Sequence, residues 1–251
     1  MFQRSRPLFF LAFALTLLLA DRSDGQDSDK LNKSRDNLKQ IGLAFHNYHD
    51  VFDRFPTSTR DKEGKPLLSW RVEILPFVGA MDLYNRFHLD EPWDSEHNRK
   101  LIAEMPKVFK APGVKENEKT VYLEAVGPQS LFPRDKSDPR QRQEVPRVTV
   151  GDEASVLAFK VGIRDVHDGL SNTILVVEAD PRNAVIWTKP DDLAFDAKKP
   201  KAGLGGVFDG GFNSVLGDGS VRFVPLTTDE KVLLDLFNPA DGHPIPDGVL
   251  K

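Results

Sequence analysis

An apolar run, a polar break and then a strongly patterned amphipathic segment leave this chain few ways to begin. Residues 8–20 (LFFLAFALTLLLA) are apolar except for Thr16, Arg4 and Arg6 precede them, and residues 21–29 (DRSDGQDSD) are polar. A short basic stretch followed by an apolar stretch is the pattern of a signal peptide. As a helix the apolar run reaches about 20 Å, short of the roughly 30 Å hydrocarbon core, so a permanent span is the weaker reading. Ala20 and Gly25 both offer a small residue for cleavage, and the choice between them stays open. The expectation is a removable leader over residues 1–25 and an exported product, periplasmic, in the cell envelope or secreted. Membrane contact is expected only if the signal remains as an uncleaved anchor.

The segment after the break has its own period. Leu31, Leu38, Ile41, Phe45, Tyr48 and Phe52 recur every three or four residues, with Ser34 in the one slot of the stripe that is not apolar. Such spacing puts all of them on one face of a helix. Asp27 or Ser28 is placed to cap its start, and Phe55-Pro56 ends it, because the residue before a proline leaves the α region. A helix of about 25 residues is long for a globular domain and predicts a spine on which the rest packs.

Small helices follow. Ser69 is placed to cap a short helix ended near Pro76, residues 81–87 (MDLYNRF) continue helically, and Asp94 or Ser95 caps another helix to about Met105. Beyond Pro112-Gly113 the alternation becomes that of strands. Residues 120–126 and 156–161 read as strands, residues 128–148 as a charged, Pro-rich surface loop, and residues 173–179 (TILVVEA) as a central strand. A turn at residues 180–183 predicts a hairpin between that strand and residues 184–188. Asp218-Gly219, between residues 213–217 and 220–224, has the composition of a two-residue type I′ hairpin turn. Thr227 and Glu230 stand at capping-box spacing before a last helix to about Phe237. One domain over residues 28–251 is expected, of α+β class: a long helix, small helices, then an antiparallel meander.

Composition excludes several roles. With 34 basic and 38 acidic residues and a net charge of −4, the chain has no single-sign field to recruit nucleic acid. It has no cysteine, which removes disulfides, thiolate metal sites, thiol nucleophiles and a lipidated N-terminal cysteine. Hydrophobic residues make up 39% of the chain, enough for a core that folds without such staples.

Five separated motifs occur in order: residues 37–49 (NLKQIGLAFHNYH) with Phe55-Pro56, residues 69–76 (SWRVEILP), 90–98 (DEPWDSEHN), 168–178 (DGLSNTILVVE) and 210–223 (GGFNSVLGDGSVRF). Together they resemble the bacterial domain of unknown function 1559 family, also labelled solute-binding protein family 10 or prepilin-type H-X9-DG proteins. The resemblance covers residues 30–224. It implies a pilin-like fold, with a long N-terminal helix against an antiparallel sheet, in an exported protein of no established activity. Many members carry a prepilin leader at the head of an unbroken hydrophobic helix. Here residues 21–29 interrupt the apolar run, which argues against filament incorporation and makes a pseudopilin of a secretion or pilus system the weaker reading. The His of the family's name falls at Phe208, while Asp218-Gly219 is kept. Where relatives often have cysteine, this chain reads Lys33 to Asp36 and Ala111.

Candidate chemistry is thin. His46, His49 and Asp50 are the candidate metal ligands, since residues three apart on a helix share a face and neutral imidazole binds zinc or copper; His88 and His97 could complete such a set. Both His46 and His49 flank the apolar stripe, where a satisfied or solvated histidine is the commoner outcome. Trp70, Trp93 and Trp187 are candidates for lining a solute pocket, against the simpler reading that they pack in the core. Asp218, with Asp209 and Asn213, offers oxygens near glycine turns but lacks the spacing of an EF-hand. No nucleophile elbow, zincin motif, phosphate loop or dinucleotide fingerprint occurs, so no catalytic residue and no cofactor is expected. The expected role is a non-enzymatic domain acting on protein or envelope partners; the alternative is a binding module for a small solute or a metal ion.

Overall fold

The computed structural model describes residues 10–132, 144–150 and 153–251, with side chains described over 28–132 and 156–251. Its first element is α1 (Phe10–Phe52), one helix that runs through the polar stretch without a break. The cap expected at Asp27 or Ser28 is therefore not used; the stretch is polar yet helical, and glycine aside its residues tolerate a helix interior at modest cost. α1 stops three residues before Phe55-Pro56, at Asp53, whose φ of 51° takes the chain out of the right-handed turn while its N–H still bonds His49 O at 2.8 Å. The stripe is as the period requires: Leu38, Ile41, Ala44, Phe45 and Tyr48 are buried, and Ser34 with them.

Next come the two-residue strand β1 (Arg60–Asp61) and the short helices α2 (Trp70–Glu73) and α3 (Met81–Tyr84), followed by 3-10 turns at Asn98–Glu104 and Lys107–Phe109. Ser69 caps α2 as expected, its Oγ accepting from Arg71 N at 3.2 Å. Ser95 Oγ accepts from Asn98 N at 3.0 Å, so the predicted cap is present although it opens a 3-10 turn rather than an α-helix.

The strands are β2 (Lys119–Thr120), β3 (Tyr122–Val126), β4 (Glu144–Val150), β5 (Glu153–Phe159), β6 (Ile174–Glu178), β7 (Val185–Ile186), β8 (Leu193–Ala194), β9 (Gly211–Leu216) and β10 (Val221–Pro225), and the last helix is α4 (Glu230–Phe237). The main sheet has the order β10-β9-β6-β3-β8, antiparallel except for β3 with β8. β1, β5 and β4 form a second antiparallel sheet, and β2 pairs β7. A helix laid on an antiparallel sheet with few small helices is the expected α+β arrangement.

Four local expectations change. β6 is central, as its apolar run suggested, but β3 and β9 occupy its two edges, so it makes no hairpin with β7. The end of the expected 128–148 loop is strand β4; residues 133–143 of it lie outside the described residues. The β9–β10 turn is a three-residue loop: Gly219 N bonds Leu216 O, Leu216 N bonds Ser220 O, and only Gly219 of the Asp218-Gly219 pair has positive φ (80°). That is a type I turn closed by a left-handed glycine, which twists the strands as well as a type I′ turn does. α4 is capped by Asp229, whose Oδ1 accepts from Lys231 N at 2.8 Å, and not by Thr227.

One buried cluster runs from Leu38 and Phe45 on α1 through β3, β6 and β9 to Leu233 and Phe237 on α4. α1 approaches β9 closely because residue 42 is glycine: a Cβ there would meet Gly219 O at 2.9 Å and Val215 Cγ1 at 3.0 Å.

Candidate functional site

The register of the sheet puts three polar residues in one row beneath α1. Tyr122 of β3 pairs Glu178 of β6, and Val177 pairs Ser214 of β9, which brings Asn213 beside Glu178. Alternation then points Tyr122, Glu178 and Asn213 to the same face. Ser34 of α1 comes down on that row. Its hydroxyl donates to Glu178 Oε1, Asn213 Nδ2 donates to Glu178 Oε2 at 2.9 Å, Ser34 Oγ lies 3.1 Å from the Tyr122 hydroxyl, and Asn37 Nδ2 donates to that hydroxyl at 3.3 Å. Burial pushes the Glu178 carboxyl up to about 7, against the opposing pull of the hydrogen bonds from Ser34 and Asn213. Burial, with Glu178 close by, holds the Tyr122 hydroxyl protonated. When the carboxyl is ionised the proton order is Asn37 N–H to Tyr122, Tyr122 O–H to Ser34, Ser34 O–H to Glu178.

A second buried group adjoins the first along β3. Asp192 Oδ1 accepts from Arg71 Nη2 at 2.6 Å, Trp70 Nε1 at 3.1 Å and Glu124 N at 3.0 Å. Arg71 also donates to Tyr122 O at 3.0 Å and Ser69 Oγ at 2.7 Å. Glu124 is buried beside them, and its Oε1 has no hydrogen-bond partner among the described residues. Burial raises both carboxyls. The guanidinium is spent on Asp192, so Glu124 carries the proton and one net charge pair remains, Arg71 with Asp192. The first group ties α1 to the sheet, and the second ties α2 to β3 and to Asp192.

An open cleft lies elsewhere. A cleft of about 420 Å³ is lined by Pro128, Gln129 and Leu131, by Lys160, Val161, Asp165 and His167, and by Asn238, Pro239 and Ala240. The backbone fixes its walls: His167 N and Asp168 N both bond Pro239 O, at 2.7 and 3.0 Å, and the Asp168 carboxylate takes the amides of Asp241 and Gly242 at 2.6 and 3.0 Å. Apolar floor and a few polar groups at the rim suit a small solute carrying both kinds of surface.

The residues singled out from sequence fall differently. His46, His49 and Asp50 are not brought together: His49 Nε2 accepts from Ile163 N at 3.3 Å, Asp50 is exposed, and the His46 ring lies on the Gly219 turn, 3.1 Å from where a Cβ would stand. His88 and His97 stack on each other, ring centres 3.5 Å apart, with Glu91 on His88 and Arg86 O on His97. Trp70 packs edge-on against Phe45, Trp187 stacks on Phe109 and donates to Ile102 O at 2.8 Å, and Trp93 lies under Lys189; none of the three lines the cleft. Asp218 Oδ1 accepts from Ser220 N at 2.9 Å, a turn contact. The cleft residues Lys160, Asp165, His167 and Asn238 carry no local pattern in the sequence, since two separate segments supply them and a third, residues 128–131, completes the wall.

A family model described as a protein of unknown function (DUF1559), SBP_bac_10, matches residues 32–207. The chain belongs to this family. Within the DUF1559 match lie Ser34, Arg71, Tyr122, Glu124, Glu178 and Asp192, so both buried polar groups are inside it except Asn213. β9, β10, α4 and the third wall of the cleft lie beyond it. No curated protein and no solved structure matches the chain.

Proposed function

We propose that this DUF1559 member is an exported, non-enzymatic, pilin-like domain that acts through protein or cell-envelope contacts. The observation that carries this reading is the two-sidedness of α1. One face is locked to the sheet through Ser34 and Gly42, while the other turns Leu43 and Val51 outward, 62% and 64% exposed. Large apolar side chains two turns apart on the free face of a spine suit contact with another macromolecule, although single exposed apolar residues are ordinary. The buried Glu178 carboxyl supports the same reading, because it is used in holding the helix and does not line the cleft. Two measurements test it. The mass of the natively exported protein should place its N-terminus after Ala20 or Gly25, and a photo-crosslinker at position 43 should give discrete products that the same probe at Asp61 does not. Turnover in a broad substrate panel, abolished by one point substitution, would overturn it.

The cleft between residues 128–131, 160–167 and 238–240 favours a second reading, a binding module for a small solute. Ligand binding to the folded state raises the melting temperature by mass action. A thermal-shift screen of small carboxylates, amines and sugars in which nothing moves the transition counts against this second role.

A further inference from the structure

Beyond the matched residues, α4 and the turn after it carry a set of side chains that a contact role leaves unused. Asp235 lies in the last turn of α4; Asp241 and His243 follow Asn238-Pro239. His243 Nδ1 stands 3.2 Å from Asp235 Oδ1 and 3.2 Å from Asp241 Oδ1, and one ligand atom from each of the three lies within 4.8 Å of the others. These are not freely solvated carboxylates: the side chains of Asp235 and Asp241 are 8% and 14% exposed, and only His243, at 51%, opens to solvent. Lys231 Nζ reaches the other oxygen of Asp235, Oδ2, at 3.4 Å, and leaves Oδ1 to the cluster. The turn is held in place by the Asp168 carboxylate on the amides of Asp241 and Gly242, and by His243 N on Asp241 Oδ1 at 2.8 Å.

One imidazole nitrogen between two carboxylate oxygens is a poor match in hydrogen bonds alone. Nδ1 carries at most one hydrogen, so it serves one oxygen well; with the hydrogen on Nε2, three lone-pair atoms converge. A cation satisfies all three at once. Bonds of about 2.0–2.1 Å in a tetrahedral zinc site set neighbouring ligand atoms about 3.3 Å apart, close to both distances from Nδ1. Calcium, which takes six to eight oxygens, suits an imidazole-containing set of three less well.

We propose that Asp235, Asp241 and His243 form a binding site for a divalent transition-metal ion of the zinc type, with a further position open to water. The site is separate from the outer face of α1 and does not depend on the contact role.

The test is titration of the full chain, stripped with a chelator, with Zn²⁺ by calorimetry and by competition with a chromogenic chelator. One zinc ion per chain is expected. His243→Ala and Asp241→Asn should each weaken binding at least tenfold, whereas His88→Ala should leave it unchanged, because the stacked His88–His97 pair is the obvious adventitious alternative. No uptake by the native chain at millimolar zinc, or uptake undiminished in His243→Ala, overturns the proposal. Asp235 is buried and its variants can unfold, so the native chain supplies an independent readout: the ring resonances of His243 should shift on adding Zn²⁺, and rings that do not move at saturating metal overturn it.

Discussion

Asn213 Nδ2 donates to Glu178 Oε2 at 2.9 Å from the neighbouring strand, while Ser34 of α1 donates to Oε1 of the same carboxyl. One side chain therefore joins the spine to two strands of the sheet. An apolar helix face fixes that a helix docks but tolerates sliding by a turn. A buried hydroxyl held between two fixed partners does not, since sliding leaves donors and acceptors unpaired. We read the polar row as the device that fixes the axial position of α1.

The Glu178 carboxyl makes stability depend on pH. Folded, it holds its proton up to about pH 7; its ordinary value is 4.5. Between those values the folded chain binds more protons than the unfolded one, so the contribution of this group is full below 4.5, falls as pH rises, and is gone above 7. The shift corresponds to on the order of 3 kcal/mol. Glu178→Gln, which stays neutral, should therefore gain stability relative to the native chain as pH is raised from 5 to 8. Urea unfolding of both proteins across that range checks it; a difference that stays flat with pH would mean that Ser34 and Asn213 keep the carboxylate ionised.

Ser34→Ala removes the link between Glu178 and Tyr122. Glu178 keeps Asn213 and Tyr122 keeps Asn37, but each loses one of its two buried partners, which costs about 1–3 kcal/mol. Ser34→Thr retains the hydroxyl and should recover part of that loss in denaturant unfolding, which a loss caused only by changed helix packing would not show.

Asp192→Ala should be among the most damaging single changes. Arg71 is fully buried and Asp192 is its acidic partner at 2.6 Å. Removing one member of a buried pair costs about 3–5 kcal/mol, because the remaining charge has neither water nor a counter-charge. Glu124, adjacent and protonated, can ionise to take over part of the role, so Asp192→Ala with Glu124→Gln should lose more than the two separate losses added together. Denaturant unfolding of the double-mutant cycle gives that excess; additive losses would place Glu124 outside the Arg71 charge balance.

How far the sequence disclosed this can be traced residue by residue. The stripe on α1, the cap at Ser69, the central character of β6 and the turn at Asp218-Gly219 rest on local periodicity and turn chemistry, which a sequence displays directly. Ser34 was visible as the odd residue of the stripe, but its partner Glu178, 144 positions away, was not. Strand order is a global choice: residues 173–188 look like a hairpin locally, and only competition from β3 and β9 for both edges of β6 prevents it. The cleft and the Asp235, Asp241 and His243 cluster are assembled by loops clasped through Pro239 and Asp168, contacts with no sequence signature. The aromatic residues misled for a related reason, since composition cannot tell a tryptophan that fills a core from one that lines a pocket.

Gly42 offers a test in which two general rules oppose each other. Helix propensity alone favours Gly42→Ala by about 1 kcal/mol. The structure places the new Cβ 2.9 Å from Gly219 O, a backbone atom, and 3.0 Å from Val215 Cγ1. The carbonyl cannot rotate away without opening the β9–β10 turn, and overpacking of this kind costs about 1–3 kcal/mol. A net loss is expected, accompanied by faster amide hydrogen exchange in β9 and β10. Gly79→Ala separates this from a generic glycine effect: residue 79 has φ of 77° and open space around a Cβ, so its loss of about 1–2 kcal/mol comes from backbone conformation alone and leaves the hairpin amides protected. If Gly42→Ala instead raises stability, α1 does not lie tight against the β9–β10 turn, and the seating of the spine described above is wrong.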